Sequence, residues 1–164
     1  MKYIVLVICL GISAFSFSQK KLDKMLKQQN KESIPYISVS DLKNNTKDFI
    51  LLDSREEKEY LTSHLENAIC VGYDSFNLKT IAPKLQNKDS HIVVYCSLGI
   101  RSEDVAEKLK KAGYTNVYNL YGGIFEWKNN DLEVLNSNEQ PTDSIHTFSK
   151  GWSKWLKKGI KVYE

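Results

Sequence analysis

Two apolar runs constrain this chain more than anything else in it: Phe49-Ile50-Leu51-Leu52, and Ile92-Val93-Val94-Tyr95 following His91. Each is continuous rather than alternating, which is the pattern of a strand covered on both faces. Helix-favouring stretches lie around them. Residues 54–60 read as a polar helix, and 102–112 as a stronger one with Val105, Ala106, Leu109 and Ala112 on one face and Gly113 placed to end it. Shorter strands are expected at 36–39, 68–71 and 117–120. Ser40 is expected to cap a helical turn containing Leu42, and residues 78–85 are weakly helical around Pro83. Gly122-Gly123 turns the chain into Ile124-Phe125-Glu126-Trp127. Strands alternating with helices imply parallel pairing, so the fold class is α/β with a central parallel five-stranded sheet flanked by helices.

A chain of 164 residues suits one such domain. The formal net charge of +3 is well mixed, with no basic block long enough to indicate nucleic acid. Residues 1–18 read as an export signal: Lys2 supplies the charge, Ile4 to Phe17 the apolar run, and Ser16-Phe17-Ser18 the small-residue site for cleavage near Ser18. The expected location is therefore periplasmic or secreted. Cys9 leaves with that segment, and Cys70 and Cys96 remain in an oxidising compartment. No CxxC occurs, so neither a zinc site nor a dithiol pair is indicated. Residues 19–33 read as a polar linker or short exposed helix, and 34–128 as the α/β domain. The remainder, 129–164, reads as an extension ending in an amphipathic helix over 145–160. Phe148, Trp152, Trp155 and Leu156 form its stripe. Such a helix packs on the domain, or meets a protein partner or a membrane surface.

The chemistry concentrates in Cys96-Ser97-Leu98-Gly99-Ile100-Arg101-Ser102, between a buried strand and a helix N-terminus. Ligands of open α/β sheets bind at the carboxyl ends of strands. A tight loop there turns backbone N–H groups inward and forms an anion nest, to which the next helix adds its own free N–H groups. A thiol in that field has a lowered pKa and becomes a nucleophile. A lone cysteine after an apolar strand is also compatible with plain burial, which is the expected fate of Cys70. Cys70 has a second reading, as a resolving thiol for Cys96.

Three motifs carry a family resemblance: Cys96-x-x-Gly99-x-Arg101-Ser102, Asp53-Ser54-Arg55 with Glu59-Tyr60, His64-Leu65 and Ala68-Ile69, and Leu120-Tyr121-Gly122-Gly123 with Trp127. In this order they resemble the single-domain rhodaneses, over residues 34–128. The resemblance implies a sulfurtransferase. An anionic donor such as thiosulfate, or a persulfide, gives sulfur to Cys96, and a thiol or cyanide-like acceptor takes it. Residues 97–102, namely Ser97, Leu98, Gly99, Ile100, Arg101 and Ser102, hold the anion. Asp53, Arg55, Glu59 and His64 support the site, with Glu59 expected to pair with Arg55. His64 has a minor alternative reading as a general base. No metal or organic cofactor is implied. Two other functions share the fold: a non-catalytic binding module, and a phosphatase or arsenate reductase, whose loop is one residue longer between Cys and Arg.

Overall fold

The computed structural model describes residues 20–85 and 87–163. The export segment read from the sequence, 1–18, lies outside the described residues, as does Cys9. The chain divides into a unit over 1–31 and a larger unit over 32–164. In the first, residues 20–29 are helical (α1), with Leu22 and Leu26 buried. Of the two forms read for 19–33, residues 20–29 take the helical one.

The second unit is built on five parallel strands: β1 (Tyr36–Ile37), β2 (Ile50–Asp53), β3 (Ile69–Cys70), β4 (Ile92–Tyr95) and β5 (Val117–Leu120). They lie in the order β1-β5-β4-β2-β3. The two continuous apolar runs become the inner strands β2 and β4, in register from Ile50 opposite Ile92 to Asp53 opposite Tyr95. Every residue of β4 is buried, as an inner strand with helices on both faces requires. Leu52, Ile92, Val94, Val105, Ala106 and Leu109 share one core cluster. At ~1.5–3 kcal/mol for each large apolar side chain removed from water, this cluster is the main support of the sheet.

The helices and turns between the strands are α2 (Val39–Lys43), α3 (Glu57–Thr62), α4 (Leu78–Ile81), α5 (Arg101–Lys111) and α6 (Gly123–Asn129). Local chemistry corrects two expected starts. The cap of α2 is Ser38, whose Oγ accepts the Asp41 N–H at 3.1 Å, so the cap lies two residues before the Ser40 read from the sequence. The second is α3, which begins at Glu57 because Glu56 and Glu59 form a reciprocal capping box.

The extension past α6 differs from the long amphipathic helix read over 145–160. It holds a hairpin, β6 (Val134–Leu135) with β7 (Pro141–Thr142), and a parallel pair, β8 (Ser144–His146) with β9 (Ile160–Val162). Only one turn between the last two is helical, α7 (Lys150–Ser153), capped by Ser149. Gly151 and Gly159 weaken helix in this stretch, and Phe148 takes φ 61°, outside the helical region. Phe148 and Ile160 stay exposed, while Ile145 and Leu156 pack inward. They do so from strands and turns. His64 exchanges both backbone hydrogen bonds with Leu135, at 2.8 and 2.9 Å, and ties the hairpin to the domain.

Candidate active site

β2 leads outward to β3, and β4 leads outward on the other side to β5. The crevice of such a sheet opens where these directions part, at the carboxyl ends of β2 and β4. Cys96 follows β4 at that point, and residues 96–100 form the loop into α5.

The loop is shaped from behind. The Ile124 and Phe125 N–H groups, in the first turn of α6, donate to the carbonyls of Cys96 and Ser97 at 2.9 and 3.2 Å. Asn119, wholly buried on β5, donates from Nδ2 to the Gly99 carbonyl at 2.8 Å. A trans peptide points its C=O and N–H in opposite directions, so carbonyls held outward turn the neighbouring N–H groups inward. The Leu98 N–H, on the peptide of the held Ser97 carbonyl, donates to the Cys96 sulfur, and the Gly99 N–H also reaches Sγ at 3.1 Å. Gly99 has φ 103°, which a side chain would strain. Gly123 permits the approach of α6: a Cβ there would lie 2.2 Å from the Cys96 carbonyl oxygen.

Burial alone would push the Cys96 thiol up. It is outweighed by the Arg101 charge and by hydrogen bonds from Ser102 and the Leu98 N–H, so the thiol lies below its usual range. The Ser102 Oγ is 3.6 Å from Sγ and 2.7 Å from Asn119 Oδ1. One hydroxyl proton serves one of these acceptors at a time, so Asn119 competes with the thiolate for it. No role was read for Asn119 in the sequence.

The supporting charges pair otherwise than expected. Glu59 does not bind Arg55. It accepts both Nη groups of Arg101 at 2.7 Å, and its carboxyl is held low by Arg101 despite burial. Arg55 pairs with Asp53, two residues before it, with Nη2 at 2.6 Å from Oδ2 and both side chains fully buried. The Arg55 Nη2 also donates to the Ser63 carbonyl at 2.5 Å. The reason for the exchange is geometric. The turn after β2 folds Arg55 back over Asp53, while Glu59 on α3 faces the loop. His64 is buried away from the sulfur, stacked on Tyr60 with centroids 4.0 Å apart and with Nε2 3.3 Å from the Glu139 carboxylate. It does not line the Cys96 cleft.

That cleft, about 240 Å³, is lined by residues 96–98, 100 and 101. Phe148 and Trp152, from the extension, complete the lining, with the Phe148 ring 5.4 Å from the Arg101 guanidinium. Cys70 lies one strand beyond β2 from the loop strand, and burial pushes its thiol up.

Strand end, anion-binding loop, helix N-terminus and an acidified thiol define an α/β protein built for thiolate chemistry. The chain belongs to the rhodanese-like domain family: the family's model matches residues 38–130. It is a rhodanese-fold enzyme. It is 36% identical over 124 residues to a tRNA uridine(34) hydroxylase of Photorhabdus laumondii, a match covering 74% of this chain and 33% of that one. The chain spans a third or less of the length of the curated relatives it matches. Among solved structures it is similar to a protein of Bacillus halodurans, with TM-score 0.57, 24% identity, 70% of this chain and 86% of that one. A thiosulfate sulfurtransferase of Pseudomonas aeruginosa aligns with TM-score 0.59 at 17% identity, over 85% of this chain and 26% of that one. These structural likenesses carry the fold.

The names of the curated relatives correct the expected function. They are tRNA uridine(34) hydroxylases, so the reading as an exported thiosulfate sulfurtransferase is set aside, with its sulfur donor and thiol or cyanide-like acceptor. A nest of N–H groups binds many anions, and the loop that motivated that reading does not by itself select a substrate.

Proposed function

We propose that this rhodanese-fold enzyme works through the thiolate of Cys96 on a uridine base, the substrate class for which its curated relatives are named. The observation that carries the reading is a thiol held low by Arg101 and loop N–H groups, at the floor of a cleft with an aromatic wall. A thiolate is a soft nucleophile. The uracil ring offers it an electron-poor carbon at C6, conjugated with the C4 carbonyl. Addition there forms the S–C6 bond and moves the ring's C5–C6 π pair onto C5 and O4. C5 then takes an oxygen atom from a two-electron oxidant of the peroxide class, whose O–O bond breaks and whose other oxygen leaves as water. Loss of the C5 proton expels the thiolate from C6 and restores the ring double bond. Loop N–H groups favour developing negative charge close to the sulfur. Lys150, Lys154, Lys157 and Lys158 are exposed on the extension that carries the aromatic wall, and suit a phosphate backbone. In this reading a nucleic acid meets the site after all, through a local patch that the balanced overall charge conceals.

The test is complementation. The chain, both whole and without residues 1–18, is expressed in a bacterial host whose own tRNA uridine(34) hydroxylase has been deleted, and hydroxyuridine in digested tRNA is measured by mass spectrometry. The wild-type chain should restore the modified nucleoside and Cys96→Ser should not. No restoration by a well-expressed wild-type chain, with Cys96 still readily alkylated, would remove uridine as the substrate and leave the thiolate chemistry standing.

A further inference from the structure

We infer that the C-terminal extension is the substrate selector of the Cys96 site, its Phe148 and Trp152 forming a wall that accepts a flat aromatic ring and disfavours a puckered ring of similar size. The inference rests on the reading of Cys96 as a nucleophile and deepens it.

Both residues lie beyond the 38–130 segment that the family model matches, so this wall is added to the common fold. Phe148 is the more telling. It is 54% exposed, at the mouth of the cleft, and its backbone has φ 61°. A bulky residue rarely takes that conformation, and one that does so while exposing its ring is held there by its surroundings. The restraints are visible. The Phe148 N–H donates to Nδ1 of buried His146 at 3.2 Å, and the Ser149 N–H to the Thr147 carbonyl at 2.6 Å. The Arg101 guanidinium lies 5.4 Å from the Phe148 ring centre and is itself fixed by Glu59. Trp152 rides on α7, whose first turn is capped by Ser149 Oγ accepting the Trp152 N–H at 3.4 Å.

The ring is therefore placed, and it faces a loop whose side chains there include Leu98 and Ile100. Ser97 and Arg101 are the polar side chains of the lining beside Cys96. Pockets that take drug-sized ligands measure roughly 300–1,000 Å³, so a cleft of about 240 Å³ suits a single ring. Aromatic walls hold such a ring by stacking on its face, which every nucleobase presents.

Two maleimides of nearly equal size separate flat from puckered: N-phenylmaleimide and N-cyclohexylmaleimide. Their rates at Cys96 are followed by peptide-resolved mass spectrometry, which reads Cys70 and Cys9 separately, and the ratio is divided by that for free cysteine. The wild-type chain should favour the phenyl probe by about tenfold, the size of one aromatic stacking contact. Phe148→Leu and Trp152→Leu should bring the corrected ratio towards one, and Phe148→Tyr should keep it. A wild-type ratio near one, or a raised ratio that both leucine variants retain, overturns the inference while iodoacetamide still labels Cys96. Failure of Cys96 to react with iodoacetamide and with both maleimides overturns the nucleophile reading, and this inference with it.

Discussion

Cys96 is the more deeply buried of the two thiols and is nonetheless the more acidic, so what surrounds each sulfur outweighs burial. Cys96 has Arg101 and inward N–H groups. Cys70 has burial and the Asp53 charge, both of which disfavour its thiolate. Alkylation follows the thiolate, so its rate climbs with pH through each thiol's own pKa. A lowered pKa puts the half-maximum for Cys96 below that of free cysteine, and a raised one puts Cys70 above it. Iodoacetamide labelling across pH 5–10, read peptide by peptide, should show this order, and the reverse order would discredit the electrostatic account. Arg101→Gln removes the largest stabilising charge and should move the Cys96 half-maximum up by about one pH unit. Asn119 belongs to the same set. Asn119→Ala removes the amide's hydrogen bond to the Gly99 carbonyl and leaves the Ser102 hydroxyl to the Cys96 sulfur alone, at a cost of ~1 kcal/mol in urea unfolding. The cysteine was legible because it follows an apolar strand, but Asn119 was not, since a buried asparagine inside a strand looks like any polar interruption. The pairing of Glu59 was equally hidden. A spacing of four along the chain pointed to Arg55, and the fold brings Arg101 from 42 residues away.

Single elements explain why some motifs must be glycine and others acid. Gly122 and Gly123 both have positive φ, and together they set the first turn of α6 against the cysteine loop. A Cβ on Gly123 meets backbone at 2.2, 2.7 and 2.8 Å, and backbone cannot swing aside as a flexible side chain can. Gly123→Ala should therefore cost ~2–3 kcal/mol and slow Cys96 alkylation, because relief of the clash moves the loop whose N–H groups stabilise the thiolate. Urea unfolding and labelling measured on the same sample check both halves. The Glu59 carboxylate on α3 joins two jobs, capping its own helix and holding Arg101. Its folded pKa is depressed, so its contribution is present above the ordinary carboxylate range and is lost as pH falls through the folded value. Glu59→Gln should lower stability at pH 7 and lose less on acidification than the wild-type chain; equal acid sensitivity in the two would remove Glu59 as a source of it.

At the scale of the whole molecule, the sheet was legible and the extension was not. Continuous apolar runs report a doubly covered strand directly, and five strands separated by helical stretches leave little choice but a parallel sheet. The stripe of Phe148, Trp152, Trp155 and Leu156 satisfied a helical period equally well, yet Gly151, Gly159 and the capping habit of Ser149 broke it into strand, turn and strand. Local backbone preference outweighed periodicity there because Leu156 is buried without a continuous helix, and Phe148 is not buried at all. The extension is then part of the domain that the family model bounds at residue 130. Val134, Leu135, Ile145 and Leu156 are buried, and the indole N–H of Trp127 donates to the Glu133 carbonyl at 2.9 Å. Four such side chains at ~1.5–3 kcal/mol each contribute ~6–12 kcal/mol as an upper estimate, comparable with the ~5–15 kcal/mol that holds an ordinary domain together. A chain cut after Asn130 should therefore lose cooperative thermal unfolding and bind hydrophobic dyes, although it contains every residue of the family match. A sharp melting transition within a few degrees of the full chain would show instead that the extension is carried by the domain without supporting it. The Leu135 strand would then owe its place to the His64 backbone pair alone.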